Sequence, residues 1–304
     1  MSSDALIKLI NQHHRPGQYS YVLLDPLAAS AGSEHSLLAS LQLVLGDKAM
    51  TRVVRPDLPR SPGLHPVLVC LGSPASSPDI SLLELTAQAA ERDRHRRKHP
   101  VCGWLLSEAP PTAVATHLTA LCRLPDASGA TTFHPVYEPL RLELLAALFE
   151  RTDQGPWWPI ERWVFLSSGG GLANLKGQPH VRCGLPAGAV RVQQNTALIE
   201  AVLAALRRLP AFPGAREIPP FAALRASNHL DDARELGLMV EQDILVMALH
   251  LLRLHARLHT QKAVSDMIDM AIRQQRPLAE MFAQVSDSSW RHLVAAIPQP
   301  EAYS

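Results

Sequence analysis

The sequence carries almost no excess of charge of either sign. Its 304 residues include 29 Lys and Arg against 28 Asp and Glu, a net charge of +1. Such a chain has no overall field to attract nucleic acid or an anionic membrane. Nucleic-acid binding would depend on one local basic run, ERDRHRRKH at Glu91–His99. A solvated helix end, where cations complement the helix dipole, explains that run better.

Cysteines and long apolar runs are also scarce. The four cysteines, Cys70, Cys102, Cys122 and Cys183, form no C-x-x-C pair, and the first two stand in apolar strand-like runs typical of small buried thiols. No apolar run approaches the roughly 18 residues of a transmembrane helix. The N-terminal segment lacks the uninterrupted apolar core of a signal peptide. We therefore expect a cytoplasmic protein without disulfides.

Motifs for catalysis and cofactor binding are missing as well. Gly169–Gly171 follows a candidate strand, but Lys176 does not have the spacing of a phosphate-binding loop. No G-x-S-x-G elbow occurs. His255 and His259 have the i, i+4 spacing of metal ligands on a helix, yet no H-E-x-x-H pattern or third ligand accompanies them. The sequence thus predicts no catalytic residue, no metal site and no cofactor.

An enzyme on an α/β scaffold stays open as the alternative, because catalytic carboxylates converge only in the fold. Such an enzyme would use a pocket at the carboxyl ends of the strands. The acidic residues at predicted strand ends are Asp25, Glu108 and Glu138. Each stands next to a proline or one residue away from it, where a turn or a helix start accounts for it.

Strand and helix patterns alternate through the first half of the chain. Tyr19–Leu24, Pro66–Leu71 and Val101–Leu106 are short apolar runs, and amphipathic segments separate them. This order predicts an α/β N-terminal lobe over residues 1–152, with a mixed or mostly parallel sheet and flanking helices. Residues 153–195, rich in Gly and Pro and with a candidate short strand at Val190–Val192, are predicted to connect it to a smaller all-α C-terminal lobe over residues 196–304.

Capping residues predict where several helices begin. Ser33 is the predicted cap of a helix with Leu41 and Val44 inward, and Ser81 begins a capping box of the form S-x-x-E. Asn228 and Ser286 are predicted caps in the C-terminal lobe.

The stretch Phe133–Phe149, FHPVYEPLRLELLAALF, predicts an extended segment that turns into a helix. Pro139 suits the first helical position, where its missing N–H is not needed. Leu140, Leu144 and Leu148 repeat every four residues and form one apolar stripe. We expect this helix to lie on the sheet.

Four segments in order carry a resemblance to a known family: YSYVLLDPL at Tyr19–Leu27, HPVLVCL at His65–Leu71, CGWLLS at Cys102–Ser107 and VYEPLRLELLAALF at Val136–Phe149. Together they resemble the adaptor family of bacterial type VI secretion, the Tap/Tec-type effector chaperones that carry a domain of unknown function. The residues of this framework are Trp104, Tyr137, Glu138 and Pro139. The family usually has Asp where Glu138 stands.

The resemblance implies an adaptor that binds a toxic effector in the cytoplasm and helps to load it onto the VgrG spike. It implies that the protein is not itself the toxin and needs no cofactor. Its partners would be proteins, with no role for nucleic acid or membrane. The sequence leaves the oligomeric state and the identity of the cargo open.

Two features are candidates for contact with partners. Trp157 and Trp158 are adjacent in a Pro-flanked loop and cannot both face the same way, so an exposed one is a candidate anchor in a cleft between the lobes. The alternative is that both are buried at the lobe junction. His250, Arg253 and Arg257 would share the outer face of a helix from Val240 to about His259, and a solvated basic face is the alternative there.

Overall fold

The computed structural model describes residues 3–28, 36–93, 96, 98–125, 128–181, 184–186, 188–209, 218 and 221–297. The chain divides into two compact units, Met1–Gln194 and Asn195–Ser304. Within the described ranges, no helix combines the length and the apolar character needed to cross a membrane.

The first unit is built on a six-stranded antiparallel sheet. Eight strands occur in the described part of this unit: β1 (Tyr19–Leu24), β2 (Met50–Arg52), β3 (Val67–Gly72), β4 (Val101–Ser107), β5 (Arg123–Pro125), β6 (Thr131–Phe133), β7 (Arg162–Leu166) and β8 (Leu172–Lys176). The six-stranded sheet has the order β2-β3-β1-β4-β7-β8, and each neighbouring pair is antiparallel. Strands β5 and β6 form a separate antiparallel ribbon.

The prediction of a mixed or mostly parallel sheet is therefore wrong. Continuous apolar runs such as Pro66–Leu71 predict strands that are covered on both faces, and this coverage is observed. Parallel sheets almost always have both faces covered, so their strands show the same continuous apolar pattern. The apolar pattern, however, reports which faces are buried and not the direction of the neighbouring strand.

Helices cover both faces of the sheet and produce two apolar cores. The described helices of this unit are α1 (Ser3–His13), α2 (Leu37–Leu45), α3 (Ile80–Arg92), α4 (Pro111–Leu121), α5 (Pro139–Ala146) and α6 (Ala189–Gln194). On one face, helices α1 to α3 pack on alternate strand residues such as Val22 and Trp104. On the other, helices α4 and α5 pack on Tyr21, Leu23 and Trp163.

Strand β4 contains a bulge. Leu23 lies opposite Gly103 and Leu24 lies opposite Val101, so Cys102 is the extra residue. Gly103 has φ of 146°, and a Cβ there would lie 2.7 Å from the carbonyl oxygen of Val164. Only glycine fits this backbone conformation and this close approach to β7.

Residues 153–194 belong to the first unit, although their composition predicts a connection between lobes. They supply β7 and β8, and Gly169–Gly171 lie in the turn between these two strands. The turn between these strands is held by Glu143 of α5, whose carboxylate accepts bonds from Ser168 N–H at 2.6 Å and Ser168 Oγ at 2.7 Å. Val190–Val192, predicted as a strand, lies in α6.

The predicted helix starts are correct in part. Pro139 is the first residue of α5, as predicted. Ser36 caps α2, with its Oγ 3.1 Å from the N–H of Ala39, whereas Ser33 lies outside the described residues. Asp79 caps α3 in place of Ser81, which lies inside that helix. The capping box motif identifies the region where the helix begins, but Asp79, a comparable cap two residues earlier, takes the position.

The Phe133–Phe149 stretch forms the predicted extended segment and helix, with two differences. Its extended part ends β6, which pairs with β5 rather than with the main sheet. Pro135 lies two residues after the end of β6, and a proline cannot donate to a ladder in a sheet interior. The helix packs on the sheet, as expected, but through the buried Leu142 and Leu145. The predicted stripe is wrong in part, because α5 ends at Ala146 and both Leu140 and Leu148 are only partly buried.

The second unit is helical in its described residues, which form α7 (Thr196–Arg208), α8 (Ala222–Glu235), α9 (Glu241–Arg253), α10 (Lys262–Ile272), α11 (Leu278–Ala283) and α12 (Asp287–Ala295). Ser286 caps α12, as predicted. Asn228 lies inside α8 and caps nothing. Asp243 of α9 is buried, and its Oδ1 accepts a bond from the first N–H of α11, that of Leu278, at 2.8 Å.

Candidate functional site

A buried polar cluster lies at the end of β1 and is the first candidate for a site. Asp25 follows the strand and is 1% exposed. Its N–H donates to the carbonyl of Pro100 at 2.8 Å, and its Oδ1 accepts from Leu27 N–H at 2.9 Å. Its Oδ2 is buried and has no hydrogen-bond partner within the described part of the chain. Burial raises the pKa of Asp25 to about 6.

Arg55, in the loop after β2, connects this region to the start of α5. Its guanidinium group binds both oxygens of Asp57, at 3.2 and 2.6 Å. Its Nη1 donates to the hydroxyl of Tyr137 at 3.2 Å. The guanidinium also lies 5.3 Å from the centre of the Phe133 ring. These contacts neutralise a largely buried cation and fix the loop against the ribbon and the helix.

The accessibility of the cluster argues against catalysis there. Asp25, Tyr137, Cys102 and Cys122 are at most 1% exposed. Burial raises the pKa of Cys122 to about 12 and that of Cys102 above its usual value, so both thiols stay protonated and unreactive. In the folded chain, these groups are not accessible to a substrate. The cluster therefore acts as a structural connection between loop, ribbon and helix.

The framework residues of the resemblance are structural too. Trp104 is buried in β4, and its Nε1 donates to Thr86 Oγ1 of α3 at 2.9 Å. Glu138 precedes α5 but makes no capping bond. Its carboxylate pairs with Arg141 at 3.3 Å and Lys98 at 3.4 Å. The longer Glu side chain reaches neighbouring cations, whereas an Asp would be short enough to cap the helix.

The two adjacent tryptophans face different ways. Trp157 is 0% exposed, donates its Nε1–H to the carbonyl of Thr152 at 3.0 Å and packs against Phe149. Gly155 permits this packing, because a Cβ there would lie 2.1 Å from the indole. Trp157 is therefore a core residue of the first unit and offers no surface to a partner. Trp158 is 39% exposed and remains a candidate contact.

The predicted face of His250, Arg253 and Arg257 does not exist as a helix stripe. Helix α9 ends at Arg253, so Arg257 lies in the turn beyond it. His250 packs between aromatic rings, with its centroid 4.6 Å from that of Phe282 and 5.2 Å from that of Trp290. Burial lowers the pKa of His250, which keeps it neutral near pH 7. The regular spacing continues in sequence past the point where the helix stops.

His255 and His259, whose spacing is that of metal ligands on a helix, do not share a helix face in the structure either. His255 and His259 lie beyond the end of α9, and His259 is in a short 3-10 turn, Leu258–Thr260. Among the residues that the structure describes, no group of three or more His, Cys, Asp or Glu could hold a metal ion.

The surface at the β2 edge of the sheet is a second candidate, and sequence patterns do not reveal it. On the preceding helix α2, Leu43 is 88% exposed and Val44 is 67% exposed, although Val44 was predicted to face the core.

A groove of about 440 Å³ lies between β2 and α4. The described residues of its lining include four threonines and two arginines, Arg52 and Arg123, and none of them is acidic. The arrangement suits a protein segment with anionic side chains better than a small apolar ligand.

Comparison with protein-family models, with curated proteins and with solved structures gives no match.

Proposed function

We propose that this protein is a cytoplasmic adaptor of a bacterial type VI secretion system, which binds one toxic effector and helps to load it onto the VgrG spike. The four segments described above, with their order and spacing, support the assignment to this family. The framework residues among them are structural, so they support a shared scaffold rather than a shared catalytic site.

One observation of the structure supports a binding role in particular. Large apolar side chains stand exposed on both units: Leu43 and Val44 on α2, and Met239, which is 86% exposed, before α9. Scattered apolar residues are normal on protein surfaces. Leu43 and Val44, however, are consecutive on a helix whose only polar residues are Ser40 and Gln42, and exposed apolar side chains suit contact with the apolar segments of a client protein.

The experiment is capture of partners by the tagged, full-length chain from its native bacterium, with identification by mass spectrometry. We expect one toxin-like protein to be recovered in amounts comparable to the bait, with or without VgrG. A Leu43→Glu, Val44→Glu variant should recover less of it, and the same change at two exposed polar sites, Gln12→Glu and Gln88→Glu, should not. Recovery of no specific protein while the secretion system is expressed would contradict the proposal.

A further inference from the structure

The backbone of β2 has unused hydrogen-bonding capacity on its outer side. Strand β2 pairs only with β3 among the described strands, with Thr51 opposite Leu68 and Arg52 opposite Val67. Val53 N–H donates to the carbonyl of Pro66 at 2.8 Å. Hydrogen-bonded pairs alternate along an antiparallel ladder, so Thr51 also faces β3. The N–H and C=O groups of Arg52 therefore point away from the sheet.

The opposite edge of the sheet differs in this respect. Strand β8 is the other edge strand, and the N–H of Lys176 at its end donates to the carbonyl of Thr152 at 3.3 Å. A segment of the same unit thus covers part of that edge. Open edges are sites where another chain can add a strand. On the β2 side, the described residues place one such bond just past the strand, from the hydroxyl of Thr119 to the carbonyl of Val54, and none on the backbone of Arg52.

The groove beside β2 is shaped by α4 and is basic. Thr119 of α4 donates its hydroxyl to the carbonyl of Val54 at 3.1 Å, which fixes the helix beside the chain that leaves β2. The side chain of Arg52 is exposed, and its Nη1 donates to the carbonyl of Pro62 at 2.7 Å. Arg123 is exposed on the same groove. Among the described residues that line this groove there is no acid, although Asp47 lines the neighbouring cavity that Arg52 also borders. The two arginines of the groove favour an anionic occupant.

We propose that an extended, acidic segment of a protein partner adds a strand to the outer edge of β2 and places its carboxylates on Arg52 and Arg123. The inference rests on the proposed adaptor function, because it names the kind of cargo segment that the adaptor would hold. Strand β2 is three residues long, so the backbone bonds are few. The arginine pair then supplies much of the selectivity between segments.

A direct test uses a defined probe and the full-length chain. The probe is a fluorescein-labelled peptide of eight residues that alternate Glu and Val, and its charge-reversed control alternates Lys and Val. We expect the Glu peptide to bind and the Lys peptide not to bind, by fluorescence polarisation. Reversal of both groove charges, Arg52→Glu with Arg123→Glu, should weaken binding of the Glu peptide at least tenfold and should make the chain bind the Lys peptide.

A matched variant controls for net charge. Lys8→Glu with Lys176→Glu makes the same change of charge at exposed positions outside the groove, and it should bind the Glu peptide as the wild type does. Equal weakening by both variants would show that only net charge matters and would overturn the inference. Failure of the Glu peptide to bind the wild-type chain would overturn it too.

Amide hydrogen exchange, followed by NMR, tests the added strand itself. On saturation with the Glu peptide, exchange at the N–H of Arg52 should slow at least tenfold. The N–H groups of Thr51 and Val53 are already bonded to β3 and should change little. Unchanged exchange at Arg52 with the peptide bound would overturn strand addition.

The capture experiment separates this inference from the adaptor proposal. If the wild-type chain recovers an effector and the Arg52→Glu, Arg123→Glu variant does not, the groove inference and the adaptor proposal are both supported. If both chains recover it equally, the groove inference is wrong and the adaptor proposal survives. If the wild type recovers no partner although the peptide binds as predicted, the adaptor proposal fails and the groove remains a peptide-binding site.

Discussion

Replacement of Asp25 by Asn should stabilise the protein at neutral and alkaline pH. The carboxyl is 1% exposed, and burial raises its pKa from 3.8 to about 6. At about 1.4 kcal/mol per pKa unit, this difference corresponds to about 3 kcal/mol. Asn carries no charge and keeps an oxygen for the N–H of Leu27. We therefore expect the free energy of unfolding at pH 8 to rise by about 2–3 kcal/mol.

The direction of the pKa shift of Asp25 determines how this stability difference depends on pH. The folded chain binds a proton at Asp25 more tightly than the unfolded chain does, so this group favours folding at low pH. That contribution is fully present below about pH 4 and is lost as the pH rises through about 6. The difference between the Asn variant and the wild type should therefore be smallest near pH 4, grow between about pH 4 and 6, and be constant above about 7.

Urea unfolding followed by tryptophan fluorescence measures this difference, because Trp104 and Trp163 are buried in the first unit. Asp57→Asn serves as a control in which the change in stability at pH 8 has the opposite sign. Burial acts to raise the pKa of Asp57, but the hydrogen bond and charge of Arg55 outweigh it and lower that pKa. This variant should lose stability at pH 8 and lose less as the pH falls below about 4. An Asp25→Asn variant less stable than the wild type at pH 8 would refute the reasoning.

Two further predictions concern buried acceptors. Glu143→Ala removes the carboxylate that holds the β7–β8 turn, and should cost about 1–3 kcal/mol of unfolding free energy because Ser168 loses both bonds; no measurable loss in a urea titration would contradict this. Asp243→Ala removes the acceptor at the start of α11 and should cost about 1–2 kcal/mol of unfolding free energy. Asp243→Asn keeps an acceptor oxygen and should retain most of that free energy. Thermal unfolding by circular dichroism distinguishes the two variants, and equal melting temperatures would argue against capping.

Much of the local structure could be predicted from sequence, because short-range chemistry determines it. The apolar runs at β1, β3 and β4, the proline that begins α5 and the serine that caps α12 all occur where their residues predict. The direction of the strands could not be predicted in the same way. Helices on both faces give antiparallel strands the continuous apolar pattern that is usual for parallel ones.

The candidate sites were harder to predict, because they depend on contacts between distant segments. Arg55 has no motif that marks it, yet it joins Asp57 and Tyr137, which are two and 82 residues away. Trp157 and Trp158 look equivalent in sequence, and only the packing around Gly155 buries the first of them. The groove beside β2 requires the edge position of that strand, which three residues of sequence cannot reveal.

The most direct test of the adaptor proposal is a secretion measurement in the native bacterium. The gene for this chain is deleted, and the secreted proteins are quantified by mass spectrometry against the wild type and a complemented strain. We predict that one effector disappears from the medium and returns on complementation, while the tube and spike proteins of the system are still secreted. Unchanged secretion of every effector in the deletion strain would contradict the proposal.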